Sequence, residues 1–145
     1  MSEPYPAIRL VMMPEHANPV PTILPGMGPH PLYGTIFGGV ILSYIDMAGS
    51  IAARREITLR GGHPTALFVT VAINRVEFKT PVLVGDVVSF NCSVARIGRT
   101  SITMKIDVMS ERAAETLHVT DAEVVYVGID PSSEGRRPVP LLPAT

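Results

Sequence analysis

A chain of 145 residues with 46% hydrophobic and 17% charged residues can bury a core without disulfides or metal, and is expected to fold as one domain over 1–145. Twelve Lys and Arg against thirteen Asp and Glu leave a formal charge of -1, and no basic stripe stands out to track a phosphate backbone, which excludes nucleic acid as a partner. Cys92 is the only cysteine, which excludes an internal disulfide and a cysteine-rich metal site and asks nothing of an oxidising compartment.

In chain order, the N-terminus MSEPYPAIRLVMMPEH lacks a positive start followed by an apolar h-region, so a soluble, cytoplasmic chain with no membrane span is expected. AIRLVMM over 7–13 reads as a first strand. Residues 14–34 then hold six prolines and three glycines in twenty-one residues, which dictates loop. Ile23, Leu24, Met27, Leu32 and Tyr33 make it too apolar for a free linker, so it is expected to pack over the domain or a neighbouring chain, as a wrap or a lid. From Gly38 to about Arg55 the run GGVILSYIDMAGSIAARR predicts a helix that is apolar nearly all round, and therefore buried, with Arg54 and Arg55 suiting its C-terminal end.

After Gly61-Gly62, four long strands follow: ALFVTVAINRVEF, VGDVVSFNCSVARI, RTSITMKIDVM and TLHVTDAEVVYVGI. In the third, Ile102, Met104, Ile106 and Val108 alternate with Thr103, Lys105 and Asp107, so one face is buried and the other wet. Short turn signals at Gly85-Asp86, Gly98-Arg99 and Glu111 to Ala114 favour hairpins and an antiparallel sheet. The order β-α-β-β-β-β predicts an α+β fold in which the sheet curls around the helix. Residues 130–145 form a Pro-rich, irregular tail. The lean charge content predicts apolar surface that meets a second copy.

Asp46 is the residue to explain, being the only ionised group between Gly38 and Ser50. Either it caps something, pairs with Arg54 or Arg75 or faces a wet groove, or it is kept in an apolar setting because it is used. Ahead of it, Gly38 and Gly39 at a helix start leave free backbone N–H groups, suited to a carbonyl oxygen that gains negative charge; a tight turn or close packing explains such a pair equally well. Gly39 and Asp46 lie seven residues apart, roughly 10 Å along a helix axis. They cannot both touch one reacting carbonyl from the same helix. Two antiparallel copies solve this, with the glycine end of one beside the acid of the other.

The blocks GTIFGGVILSYIDMAGSIAA, TVAINRVEFKTPVLVGDVV, IGRTSITMKIDV and YVGIDPSSEGRRPVP, in this order and spacing from about Gly34 to Pro140, resemble the hotdog-fold acyl-CoA thioesterases, in particular bacterial acyl-CoA hydrolases of the YciA type. The resemblance implies a long helix wrapped by an antiparallel sheet, a homodimer with a continuous sheet and active sites at the interface, and tetramers or hexamers of such dimers. It implies hydrolysis of acyl-CoA with Asp46 as the catalytic carboxylate, while the Gly38 or Gly39 N–H polarises the thioester carbonyl across the interface. Many relatives have His where this chain has Phe37, although the YciA type also uses Phe. They carry Asn or Asp where it has Thr35, whose hydroxyl can hold water but supplies neither amide nor carboxylate.

Hydrolysis of an already activated thioester needs a placed water, a base and an oxyanion donor, and no cofactor. Asp46 serves as general base or as nucleophile through an anhydride, with hydrogen bonds from Thr35, Asn74 or Ser50 keeping it ionised. The turn Arg96, Gly98, Arg99, Thr100, Ser101, with Arg136 and Arg137, is expected to meet the phosphates of coenzyme A, which is substrate and not cofactor. No G-x-S-x-G elbow surrounds Ser43 or Ser50, and His16, His30, His63 and His118 are scattered without metal-ligand spacing, so no metal is expected. Two rival readings are a non-catalytic acyl-CoA sensor, which would not need Asp46, and a hydroxyacyl-thioester dehydratase, for whose motif PHP at 29–31 is a poor match.

Overall fold

The computed structural model describes residues 3–18, 34–63, 66–132, 134 and 137–144, together with the backbone at 23–24 and 28–29. The elements in chain order are β1 (Tyr5–Val11), a 3-10 turn (Pro14–His16), β2 (Ile23–Leu24), β3 (Gly28–Pro29), α1 (Gly38–Leu59), β4 (Leu67–Asn74), β5 (Val87–Ile97), β6 (Ser101–Arg112) and β7 (Glu115–Ile129). Strands β1, β4, β5, β6 and β7 form an antiparallel sheet in the order β1-β5-β6-β7-β4, and α1 packs against it. This is the hotdog arrangement that the resemblance implies.

The alternation in β6 decides its faces as expected. Ile102, Met104, Ile106 and Val108 are fully buried and join Val88, Phe90, Val124 and Tyr126 under the helix. From α1 the core receives Ile41, Ile45, Ala48, Ala52, Ala53 and Ile57, the three-and-four spacing of one helix face.

Three expectations are corrected. The segment 14–34 is not all loop: it holds the 3-10 turn and the paired strands β2 and β3, whereas Met27, Leu32, Tyr33 and its role as wrap or lid fall outside the described residues. The helix runs on to Leu59, with Arg60 as its C-cap. Nor is it buried all round, since the row Gly39, Ser43, Met47 and Ile51 is exposed, with Met47 at 47% and Ile51 at 45%. The sheet covers only one side of the helix, and apolar residues on the other side cannot be told from core ones by composition.

The tail is less irregular than its prolines suggest. Pro138 bridges Ile129, the Val139 N–H donates to Gly128, and Leu141 is fully buried, its N–H donating to Arg99 and its carbonyl accepting from His63. A side chain at Gly128 or Gly62 would collide with this strap. At the other end of the molecule Asp86, 3% exposed, accepts from both Arg112 nitrogens Nε and Nη2, from Ser110 Oγ and from the Leu83 N–H. That network pins residues 81–86, the segment that carries the bridge to Thr35.

Candidate active site

Asp46 follows the buried Ile45 on α1, at the border between the packed and open faces, and is half-buried. The neighbouring strand is β4, a sheet edge, whose residues Phe68 and Thr70 point toward the helix. Thr70 Oγ1 donates to Asp46 Oδ1 at 2.6 Å, a short, charge-assisted bond. Behind the helix, the Tyr126 hydroxyl donates to the Asp46 backbone carbonyl at 2.7 Å. Burial first, and then the Asp46 charge, push the Tyr126 phenol far above its ordinary range. Asp46, Met47, Ser50, Ile51, Phe68 and Thr70 line an open groove of about 390 Å³. One carboxylate in a mostly apolar groove can hold and deprotonate a water beside an acyl chain.

The start of α1 is a separate place. Its N-cap is Phe37, whose carbonyl accepts from the Val40 N–H at 3.0 Å but whose side chain makes no cap, so the first-turn N–H groups receive nothing from a capping side chain. Gly38 lines a small cavity of about 170 Å³ with Ile36, Ile41, Phe78, Thr80, Pro81 and Val82. Eight residues of helix, roughly 12 Å, separate Gly38 from Asp46. One chain therefore holds an acid and a donor set that do not meet.

A family model described as the thioesterase superfamily matches residues 33–116. The chain belongs to the thioesterase superfamily. It is 43% identical over 115 residues to an uncharacterized acyl-CoA thioester hydrolase of Buchnera aphidicola subsp. Baizongia pistaciae, covering 76% of this chain and 78% of the relative. Identity to the acyl-CoA thioester hydrolase YciA of Salmonella typhimurium is 34% over 113 residues, covering 74% of this chain and 79% of the relative. Among solved structures, the hexameric hotdog fold thioesterase of Campylobacter jejuni superposes with a TM-score of 0.72 at 33% identity, covering 94% of this chain and 89% of that one.

The other candidate residues of this thioesterase-superfamily chain are dispersed. The Thr35 hydroxyl accepts from Asn18 Nδ2 at 2.8 Å, and its backbone bridges Leu83, so it ties two segments together below the start of α1. Asn74 is corrected as a neighbour of Asp46: it stands at the far end of β4 in a polar cavity with Arg75, Lys105, Asp121 and Glu123. Ser50 does line the groove. Of the two arginines considered as partners for Asp46, Arg75 pairs with Glu77 and Arg54 is exposed about two turns further along α1, so neither is placed beside the carboxylate.

Gly98, Arg99, Thr100 and Ser101 form the β5–β6 turn, closed by Gly98 N–H to the Ser101 carbonyl at 2.8 Å. Arg96 and Arg99 are exposed, as is Arg137, whose carbonyl accepts from the Asp130 N–H. Arg136 lies outside the described residues. The turn sits at the helix C-terminal end, because the Arg99 carbonyl holds Leu141, which in turn holds His63.

His118 is less isolated than its spacing suggests. On adjacent strands, Asp107, His118 and Asp121 bring ligand-type atoms within 4.8 Å of one another. His118 Nε2 lies 3.9 Å from Asp107 and 3.8 Å from Asp121, and Lys79 Nζ is 3.7 Å from Asp121. A cationic side chain is thus already beside these acids. His30 lies outside the described residues, and His16 accepts from the Met13 N–H through Nδ1.

Sequence reasoning missed Thr70, Tyr126 and Gly49. For Thr70 a signal existed: in LFVTVAIN it shares the inward face with Phe68, a lone hydroxyl in an apolar row.

Proposed function

We propose that the protein hydrolyses acyl-CoA thioesters to a free acid and coenzyme A, as the names of its relatives suggest. The observation that carries this reading is the Asp46 carboxylate, hydrogen bonded by Thr70 inside an apolar groove. Thr70 engages one oxygen, and the carboxylate's remaining acceptor capacity takes a water. Asp46 removes a proton from that water as its oxygen attacks the thioester carbon, the C–S bond breaks, and the proton ends on the thiolate sulfur. Direct attack by Asp46, with an anhydride then hydrolysed by water, uses the same atoms. Neither route calls on a metal or a cofactor.

The oxyanion donor is the Gly38 or Gly39 N–H of a second copy, since one chain's own helix holds them too far from Asp46. The edge strand β4 and the exposed Met47 and Ile51 flank the groove, and a second copy seated there would complete two equivalent sites. Arg96, Arg99 and Arg137, exposed at the sheet end, are the proposed contacts for the phosphates, with Gly98, Thr100 and Ser101 shaping the turn.

The deciding experiment is thiol release from a panel of acyl-CoAs by the parent, Asp46→Ala and Asp46→Asn. The parent is expected to turn over, and both variants to lose about 1,000-fold or more in kcat while still binding ligand. Asp46→Ala at the parent rate would overturn the assignment. A 3-hydroxyacyl-CoA that loses water and releases no thiol would overturn the reaction type.

A further inference from the structure

One cross-strand pair holds Asp46 at both ends. Thr70 of β4 and Tyr126 of β7 are direct partners in the antiparallel ladder. Thr70 bonds the carboxylate and Tyr126 the backbone carbonyl of the same residue. The helix runs unbroken through this turn, from Gly38 to Leu59.

Gly49 makes room for it. A Cβ at this position would overlap the Tyr126 oxygen, and Tyr126 itself is fully buried. A mid-helix glycine costs about 1 kcal/mol relative to alanine, and a buried hydroxyl must be desolvated. Phenylalanine at 126 would spare that desolvation, so stability supplies no reason for the hydroxyl. Its hydrogen bond falls instead on the backbone of the residue that carries the carboxylate.

We infer that Tyr126 is a positioning residue for Asp46: its hydroxyl, admitted by Gly49, anchors the helix backbone so that the carboxylate points at Thr70 and the groove. Burial and the adjacent negative charge keep the phenol protonated, so it remains a donor to the carbonyl and takes no part in proton transfer.

Tyr126→Phe removes a single oxygen. In its kinetic arm the inference rests on the thioesterase reading: kcat for thiol release is expected to fall about 10-fold or more, with KM changed by less than about 2-fold. Adding Gly49→Ala to that variant puts a methyl group where the oxygen was, and the ring carbons Cζ and Cε2, at 3.0 and 3.1 Å, must give slightly to admit it. Thermal stability is expected to recover at least in part, while kcat stays low. Recovery of kcat along with stability would show a space-filling role and overturn the inference, as would a parent-like kcat in Tyr126→Phe. If the parent releases no thiol from any acyl-CoA, the thioesterase reading fails by itself, and the crystal structure of Tyr126→Phe then decides. A displaced Asp46 carboxylate that has lost Thr70 supports positioning, and an unchanged Asp46–Thr70 bond overturns it.

Discussion

Gly38 and Gly39 are neighbours in the first turn of α1, and a methyl group would press on the chain's own side chains at only one of them. A Cβ on Gly38 would rest 3.6 Å from the Phe78 ring, an ordinary contact, whereas on Gly39 it would come within 2.7 Å of the Phe37 ring. If Gly38 is glycine so that a substrate oxygen can reach its N–H, Gly38→Ala should fold with unchanged or slightly raised Tm, alanine being the better helix former. Its kcat for thiol release should fall about 10-fold to 100-fold. Gly39→Ala should also displace Phe37. Parent kinetics in Gly38→Ala would remove that amide from the mechanism.

Thr70 can be tested apart from Asp46. Thr70→Val keeps the shape and takes away the donor at 2.6 Å, leaving the carboxylate short of one charge-assisted bond of about 1.5–3 kcal/mol. The expected result is a lower kcat with little change in KM, and partial recovery in Thr70→Ser, which restores a hydroxyl. Equal rates in the valine and serine variants would mean that the hydroxyl does not support the carboxylate.

How much of this was legible in the sequence follows from the range of each contact. Ile102, Met104, Ile106 and Val108 announce their face because the period of a strand is local, and the helix announces its start at Gly38-Gly39. The acid at Asp46 is conspicuous for the same reason, having no charged neighbour to excuse it. What holds it is not local: Thr70 lies 24 residues away and Tyr126 lies 80, and no periodicity relates them. The placing of Asn74 beside Asp46 failed on a related point, since a strand that carries a bulge between Thr70 and Ala72 does not keep one face toward the helix. Asp107, His118 and Asp121 come together only through the β6–β7 register, which spacing along the chain does not reveal.

The Asp86–Arg112 network sets an acid limit on stability. Burial alone would raise the Asp86 carboxyl, but hydrogen bonds from Arg112, the Leu83 N–H and Ser110, with the Arg112 charge, outweigh it and hold the pKa below its ordinary value. A native pKa below the unfolded one, about 3.9, means that the unfolded chain binds the extra proton. The stabilisation is therefore full above that value and is lost as pH falls through the native pKa. Asp86→Asn should cost about 3 kcal/mol at pH 7, and Tm against pH for parent and variant should converge below about pH 4. Parallel curves down to the acid limit would rule out Asp86 as the source.

Cys92 should be silent in a thiol assay. Burial pushes its thiol up to about 12, so at pH 8 only about one in ten thousand is thiolate, the reactive form. Native protein mixed with a disulfide reagent should give no signal within minutes, and one equivalent after denaturation. An immediate equivalent from the native protein would show that the core around Cys92 opens readily.

The two edges of the sheet are not treated alike. The edge strand β1 carries Pro6 and Arg9, whereas β4 carries neither proline nor charge and leaves Leu67, Val69, Val71 and Ile73 exposed, Val71 at 56%. Proline and charge are the usual guards against edge-to-edge pairing, so their absence from β4 fits an edge that pairs with a second copy. The bulge at Val71 lies beside Thr70, where edge strands are often re-aimed next to a site. Val71→Asp places a charge on that edge without touching Asp46, Thr70 or the core. Sedimentation at micromolar concentration should then show a smaller species than the parent, and thiol release should fall in step with the loss of association, with the circular dichroism spectrum unchanged. A parent that sediments only as a monomer would remove the shared site, and a monomeric Val71→Asp that keeps full turnover would show that one chain suffices.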